Sequence, residues 1–445
     1  MIGSGVFIVS ADIARQVGAP GWLLVVWGVS ALMTIIGALS YGELAAMMPQ
    51  AGGQYVYLRA AYGPLAGFLY GWTLFLVIQA GTIAAVSVAF AKFTAALLPA
   101  FDAVFHVGPL PLSAQQCLAI VVVAVLTAAN CNGLHTGRWV QNVFTATKIG
   151  ALLALVAFGL LAGRNPVAIQ TNLANFWGTR AFSLALLPLV GAAMVGALFS
   201  SDAWNNITFA AAEVRDPART VPLSLMIGTS VVSALYIAAN LVYLAALPLA
   251  GEAGAATAIG RGIQFAVSDR VATAAIEVTL GSSGAVVMAL AIMISTFGCV
   301  NGLILAGARV YYAMAHDGLF FPVARLLNTR RVPAAALVLQ GIWAALLTLS
   351  GTYSDLLDYV IFAALLFYVL TVGAVFVLRR TQPDVPRPYR AVGFPIVPGA
   401  YIALAALIMV DLLIVKPRYS WPGLLIVASG VPVFYWWRPR NAALY

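Results

Sequence analysis

The chain has 445 residues, 62% of them hydrophobic and only 8% charged, with a formal net charge of +9. A soluble globular protein carries roughly 25% charged residues, so this composition excludes a soluble enzyme. The basic residues concentrate in short loops between apolar runs, which reads as membrane orientation rather than nucleic-acid binding.

Apolar runs of about 20 residues, each long enough to cross roughly 30 Å of hydrocarbon, recur along the whole length. They predict spans at Val6–Val17, Trp22–Met48, Leu65–Leu98, Gln115–Ala129, Val140–Leu161, Phe182–Ala212, Val221–Leu244, Ala274–Ala313, Ala334–Leu349, Leu356–Leu378, Pro395–Val415 and Trp421–Trp437. Turns at Ala19-Pro20-Gly21, Tyr62-Gly63-Pro64, Gly108-Pro109 and Arg331-Val332-Pro333 punctuate the joints. Without strict alternation these runs argue against a barrel. The first span begins at Met1 with no flank and is short for a crossing, so the expectation is that its beginning is missing.

One set of alternate loops holds Arg59, Arg138, Arg215, Arg219, Arg309, Arg325, Arg330, Arg331, Arg379, Arg380, Arg387, Arg390, Arg438 and Arg440. The opposite set holds Arg15, Lys92, Arg164, Arg180, Arg261, Arg270, Lys416 and Arg418. The richer set is expected to be cytoplasmic, which puts the C-terminus inside a multi-pass protein of the cytoplasmic membrane. Three cysteines (Cys117, Cys131, Cys299) imply no disulfide framework, and the histidines (His106, His135, His316) fall in loops or at span ends. No nucleophile–base–acid arrangement, phosphate loop or zinc spacing is visible, so no enzyme, cofactor or metal is expected.

The sixth predicted span is interrupted in its middle by Ser200-Ser201-Asp202-Ala203-Trp204-Asn205-Asn206. An ionisable group at membrane depth costs about 2.5–3.5 kcal/mol on insertion scales and is a functional-site hypothesis by default. A second interruption, Gly3-Ser4-Gly5, precedes the apolar part of the first span. Glycine permits close ligand approach, and the free N–H groups at the start of the following helix form an anion site. The plain alternative for the glycines is a flexible tail. The two interrupted spans are five apart, the pattern of inverted five-span repeats with a midplane substrate site. Half-helix N-termini suit a carboxylate and unwound carbonyls suit a cation, so a zwitterion such as an α-amino acid fits both.

At these residues the sequence resembles the amino acid–polyamine–organocation superfamily, and within it the L-type amino acid transporter family. The segments that carry the resemblance are Ile2-Gly3-Ser4-Gly5-Val6-Phe7, Tyr41-Gly42-Glu43-Leu44 through Gly52-Gly53, and Phe199 to Pro222 with Asp202-Ala203-Trp204-Asn205 and Glu213-Val214-Arg215-Asp216-Pro217. Ser295-Thr296-Phe297-Gly298 through Asp317-Gly318 and Arg387-Pro388-Tyr389-Arg390 extend it. The resemblance implies an all-α integral membrane fold with the leucine-transporter-type five-plus-five inverted repeat, twelve spans with the first truncated. Residues 1–165 would form the first repeat, 180–380 the second, and 394–438 the last two spans, all in one membrane domain.

The resemblance also implies roles. Ile2, Gly3, Ser4 and Gly5 would hold the substrate carboxylate, and the carbonyls of Phe199 and Ser200 the α-ammonium. Phe199 is also a candidate gate, with plain core packing as the alternative. Asp202 would pair with a cationic side chain or the α-ammonium, or else with a group inside the bundle. Trp204 and Asn205 would shape the pocket. Lys148, two turns into the fifth span, would place its ammonium beside Ser295 and Thr296 where sodium-coupled relatives hold their second sodium; the alternative is snorkelling to the surface. Glu43, Glu213 and Asp216 are expected to pair with loop arginines near the surface, and Tyr311-Tyr312 and Trp436-Trp437 to be interfacial anchors.

The expected function is sodium-independent amino acid transport by alternating access, with exchange favoured. The rivals are a proton-coupled symporter using Lys148 or Asp202, and a sensor that binds amino acids without moving them. Animal relatives carry a disulfide to a heavy chain from the loop after the third span. The loop Pro99–Ser113 has no cysteine, so no such partner is expected, and the chain is expected to be a monomer or weak homo-oligomer.

Overall fold

A computed structural model describes residues 1–107, 110–178, 186–350 and 353–437. The predicted start of the sixth span at Phe182, together with Pro109, Arg180, Arg438 and Arg440, lies outside them. The helices in chain order are α1 (Gly5–Ile8), α2 (Ser10–Val17), α3 (Pro20–Met47), α4 (Gln54–Tyr62), α5 (Pro64–Thr73), α6 (Gln79–Leu97), α7 (Ala114–Cys131), α8 (Leu134–Leu161) and α9 (Pro166–Ala174). They continue with α10 (Leu186–Ser201), α11 (Pro217–Ala246), α12 (Ala258–Arg261), α13 (Val271–His316), α14 (Ala334–Leu347), α15 (Tyr353–Thr381), α16 (Ile396–Val415) and α17 (Pro417–Trp437). Local signals set many ends. Proline opens α3, α5, α9 and α11, where its missing N–H costs nothing. Ser113 and Gln116 form a capping box on α7. Gly18 closes α2 in the left-handed conformation, at φ 68°.

Among the described residues, nine helical segments are long and apolar enough to cross a membrane. The first, ninth and twelfth predicted spans are outside that group: they fall on Gly5–Val17, on the 14-residue α14, and on α17, which carries Pro422 and Pro432. The all-α expectation holds for the membrane part. A two-stranded hairpin, β1 (Val104–Val107) with β2 (Leu110–Ser113), stands in the loop before α7 and was not foreseen. The third span is continuous from Pro64 to Leu97, but a π-helix at Leu74–Ile78 joins α5 to α6. Such turns leave backbone groups shifted and cluster at functional sites. Trp343 Nε1 donates to the Leu76 carbonyl there at 2.8 Å. The eighth span, α13, bends at Gly281 (φ 66°).

Lipid tails are as apolar as leucine, so helices in a bilayer are joined by close packing and by hydrogen bonds between them. Asn130 donates to Asn301 (2.9 Å) and Gln79 to the Leu303 carbonyl (2.7 Å), each linking two spans, and Gln54 of α4 donates to Thr371 of α15 (2.9 Å). Gly53, at φ 47°, lets the loop after α3 touch the sixth span: an added Cβ would lie 2.2 Å from Thr208 Oγ1.

Among the described residues, ion pairs fall within the two loop sets and not between them. In the richer set Arg309 pairs with Glu213 at 2.6 Å and Arg59 with Asp317. In the other, Asp269 takes Arg15 at 2.8 Å and Lys92 at 3.7 Å, and Lys416 takes Asp358 at 2.8 Å. Three surface expectations need correction. Glu43 is 1% exposed and accepts from Arg379 (2.9 and 2.6 Å) and from the Ala391 amide (2.7 Å), with Arg387 at 3.4 Å. It is a buried clasp between α3, α15 and the loop before α16, not a surface pair. Asp216 makes no ion pair among the described residues; its carbonyl accepts from Thr220 N and starts α11. Tyr311 is fully buried, stacked on Phe320, while Trp436 is exposed as an anchor should be.

Candidate functional site

Neither sequence interruption is regular α-helix. Residues 1–4 are not helical, and α1 starts at Gly5, so its first amides have no partner within the helix. In the sixth span α10 ends at Ser201, where Asp202 N bonds to the Phe199 carbonyl at 3.0 Å. Ala203 then adopts φ 61°, ψ 12°, and a 3-10 helix runs from Trp204 to Glu213. A left-handed alanine costs about 1–2 kcal/mol, a strain that persists where function requires it.

The two breaks meet. At Gly5 an added Cβ would sit 2.2 Å from Ser200 Oγ and 2.8 Å from Ser200 Cα, so the backbones touch there. Gly3 packs on Cys299 of α13 and Gly196 of α10 on Val9. One face of α11, at the i, i+4, i+7 spacing, ties the pair together. The Tyr236 hydroxyl lies 3.1 Å from both the Met1 and the Ser200 carbonyls. Ser10 donates to Asn240 at 2.6 Å, and Tyr243 to the Val6 carbonyl at 3.2 Å.

Ile2, Gly3, Ser4, Gly5, Phe199, Ser200, Asp202, Trp204 and Asn205 are therefore gathered in one buried region. The two carbonyls expected to face an ammonium are already engaged: that of Phe199 by Asp202 N, that of Ser200 by Tyr236. Ser200 Oγ donates to the Gly196 carbonyl at 2.8 Å. Asp202 Oδ1 accepts from the Tyr368 hydroxyl of α15 at 2.5 Å. Trp204 packs on Tyr41 (centroids 4.7 Å) and Tyr368 (5.4 Å). Asn205 donates to Gln54 at 2.9 Å.

Two cavities flank the break. One, about 10 Å³, lies between Asp202, Asn205, Asn206, Phe209, Gln54, Tyr70, Leu74, Ile78, Gln79, Ala364 and Tyr368. The other, about 350 Å³ and open, is lined by Met1, Lys148, Ala203, Asn206, Cys299, Gly302 and Arg309 among others. Lys148 stands in α8, near the start of the apolar stretch Asn142–Leu161 that is long enough to cross a membrane. Its side chain is 8% exposed and has no hydrogen bond or ion pair among the described residues. The cavity it lines takes in Cys299 and Gly302 of α13 but neither Ser295 nor Thr296. Those two are buried one turn earlier. Thr296 donates to the Ile292 carbonyl at 2.9 Å, and Ser295 Oγ has no partner among the described residues. Among the described residues no group of three or more His, Cys, Asp or Glu could hold a metal.

Sequence reasoning missed Tyr236, Tyr368, Gln54 and Gln79. Only Gln79 carried a signal, an amide inside an otherwise apolar span, the cue that singled out Asp202. Gln79 lies well within Pro64–Leu97, and Tyr368 within Leu356–Thr381.

The amino acid permease family matches residues 1–436. The chain is 30% identical over 441 residues to the human protein named Large neutral amino acids transporter small subunit 2, covering 98% of this chain and 77% of that protein. It is 27% identical over 443 residues to human b(0,+)-type amino acid transporter 1, covering 98% and 84%, and 27% identical over 396 residues to the rabbit protein of that name, covering 88% and 75%.

Proposed function

The chain belongs to the amino acid permease family, a multi-pass membrane transporter of amino acids and not an enzyme, and from that premise we propose that it exchanges L-amino acids across the cytoplasmic membrane without sodium. The observation that carries the reading is the contact of Gly5 with Ser200 at two interrupted helices, held from α11 by Tyr236. The substrate carboxylate is received by the amides of Ile2, Gly3 and Gly5 and by Ser4 at the start of α1, where the helix dipole favours negative charge. The α-ammonium is received by the carbonyls of Phe199 and Ser200, each of which has a second lone pair. Phe199 covers the ligand, and Trp204 and Asn205 fix the walls.

Sodium independence rests on Lys148. A buried ammonium between α8 and α13, in a cavity that reaches the break, supplies a positive charge near Ser295 and Thr296 that a sodium ion would otherwise bring. Residues 1–165 and 180–380 act as the two repeats, one rocking against the other around the site while 394–438 add the last spans. The C-terminus lies on the cytoplasmic side with the richer basic set. The chain works without a disulfide-linked partner: the loop 99–113 has no cysteine, and Cys117, Cys131 and Cys299 are on helices. The test is uptake of labelled amino acid into proteoliposomes with and without internal amino acid, in sodium and in choline. Uptake that needs internal amino acid and ignores sodium supports the reading; sodium-driven uptake into empty vesicles refutes it.

A further inference from the structure

We propose that Tyr368 is a specificity-determining residue: its hydroxyl occupies the Asp202 carboxylate and its ring fills the side-chain end of the site, restricting the transporter to neutral amino acids with short side chains. The inference rests on the proposed substrate site and names its substrate class. Asp202 is 7% exposed, and no ion pair reaches it among the described residues. A carboxylate so placed would ordinarily attract a cationic side chain. The donor it meets instead is Tyr368, at 2.5 Å. That hydroxyl is held in place by its ring, which packs on Trp204 at 5.4 Å and edge-on to Tyr41 at 6.0 Å. Trp204 is itself confined by Tyr41, which packs edge-on against it at 4.7 Å.

The volume argues the same way as the charge. The cavity at Asp202 measures about 10 Å³, about the room of one water. Its other walls are Leu74 and Ile78 of the π-helix, Phe209, Ala364, Tyr70 and the amides of Gln54, Gln79, Asn205 and Asn206. Among the described residues no other charged residue lines it. A methyl or hydroxymethyl side chain fits with small adjustment. A lysine or arginine side chain requires Tyr368 to leave both the carboxylate and the space.

The experiment measures competition by L-alanine, L-serine, L-lysine and L-arginine against labelled L-alanine in proteoliposomes, for wild type, Tyr368→Phe, Asp202→Asn and the double variant. Phenylalanine removes the donor, and with it the hydrogen bond that latches the ring over the carboxylate, so the ring is free to turn aside for a cationic side chain. The expected result is strong competition by alanine and serine in wild type and at least tenfold weaker competition by lysine and arginine. Tyr368→Phe should improve the cations at least tenfold relative to alanine measured in the same variant, and Asp202→Asn in the same chain should reverse the gain. Cations that already compete as well as alanine in wild type, or a Tyr368→Phe pattern identical to wild type, overturn the proposal while leaving amino acid transport intact. If Tyr368→Phe is inactive, alanine and lysine protection of the purified variant against thermal unfolding reads the same selectivity, and protection by alanine alone overturns it. Wild-type vesicles that take up no labelled amino acid overturn the underlying site reading and this proposal with it.

Discussion

Gly5→Ala is the sharpest perturbation of the junction between the two broken helices. The new Cβ would lie 2.2 Å from Ser200 Oγ, 2.7 Å from its Cβ and 2.8 Å from its Cα. Carbon atoms rest about 3.5–4.0 Å apart. Rotation of Ser200 relieves only the first of these contacts, because the Cα belongs to the backbone. The helices must separate by about 1 Å to restore that contact distance. Overpacking costs about 1–3 kcal/mol, and the upper part of that range applies where backbone is the obstacle. Two to three kcal/mol is about 30- to 150-fold in the population of the closed junction. The assay is the initial rate of labelled L-alanine uptake at equal reconstituted protein, with thermal unfolding in detergent alongside. The control is Gly28→Ala in α3, where nothing lies within 4 Å of the added atom; there alanine gains up to about 1 kcal/mol of helix propensity. A Gly5→Ala protein with wild-type rate and unfolding temperature would refute the reasoning, because the junction would then tolerate a separation that the geometry forbids.

Three further outcomes follow from the same structure. Tyr236→Phe removes the hydroxyl shared by the Met1 and Ser200 carbonyls, with a cost of about 1 kcal/mol that appears as a severalfold rise in the transport KM; an unchanged KM would disconnect α11 from the site. Glu43→Gln leaves Arg379 and Arg387 without their carboxylate and destabilises the fold by about 3–5 kcal/mol, whereas Glu213→Gln at the half-exposed pair with Arg309 costs about 0.2–1 kcal/mol. Comparison of the two unfolding temperatures checks the contrast, and equal shifts would contradict the burial argument. Lys148→Met abolishes exchange with little loss of folded protein; activity restored to Lys148→Met by sodium would strengthen the sodium-substitute role, and undiminished sodium-free exchange would end it.

The parts of the site that were legible in the sequence were those whose residue types are out of place. Asp202 with Ser200, Ser201, Asn205 and Asn206 stands out in a run that should be oily, and Gly3-Ser4-Gly5 precedes an apolar helix. The first proved to be a backbone break, and the second lies ahead of the first helical turn at Gly5. Tyr368 and Tyr236 were not legible, because tyrosine passes as an apolar residue in a span and only the fold shows where its hydroxyl points. The π-helix at Leu74–Ile78 left no mark, since LFLVI differs in nothing from its neighbours. Glu43 was misplaced because a carboxylate near a span end ordinarily reaches water; here Arg379 and Arg387, more than 300 positions away, fold over it.

The central claim is exchange of amino acids through the site formed by the two breaks. Its most direct test is counterflow: labelled L-alanine outside proteoliposomes at equal pH on both sides, sodium absent, with 10 mM-scale unlabelled L-alanine inside or none, as an order-of-magnitude choice roughly tenfold above a KM of up to about 1 mM. The account predicts rapid accumulation of label only in the loaded vesicles, and its loss in Gly5→Ala. Equal uptake by empty vesicles would contradict it, as would uptake into empty vesicles driven by a pH gradient imposed in a separate run.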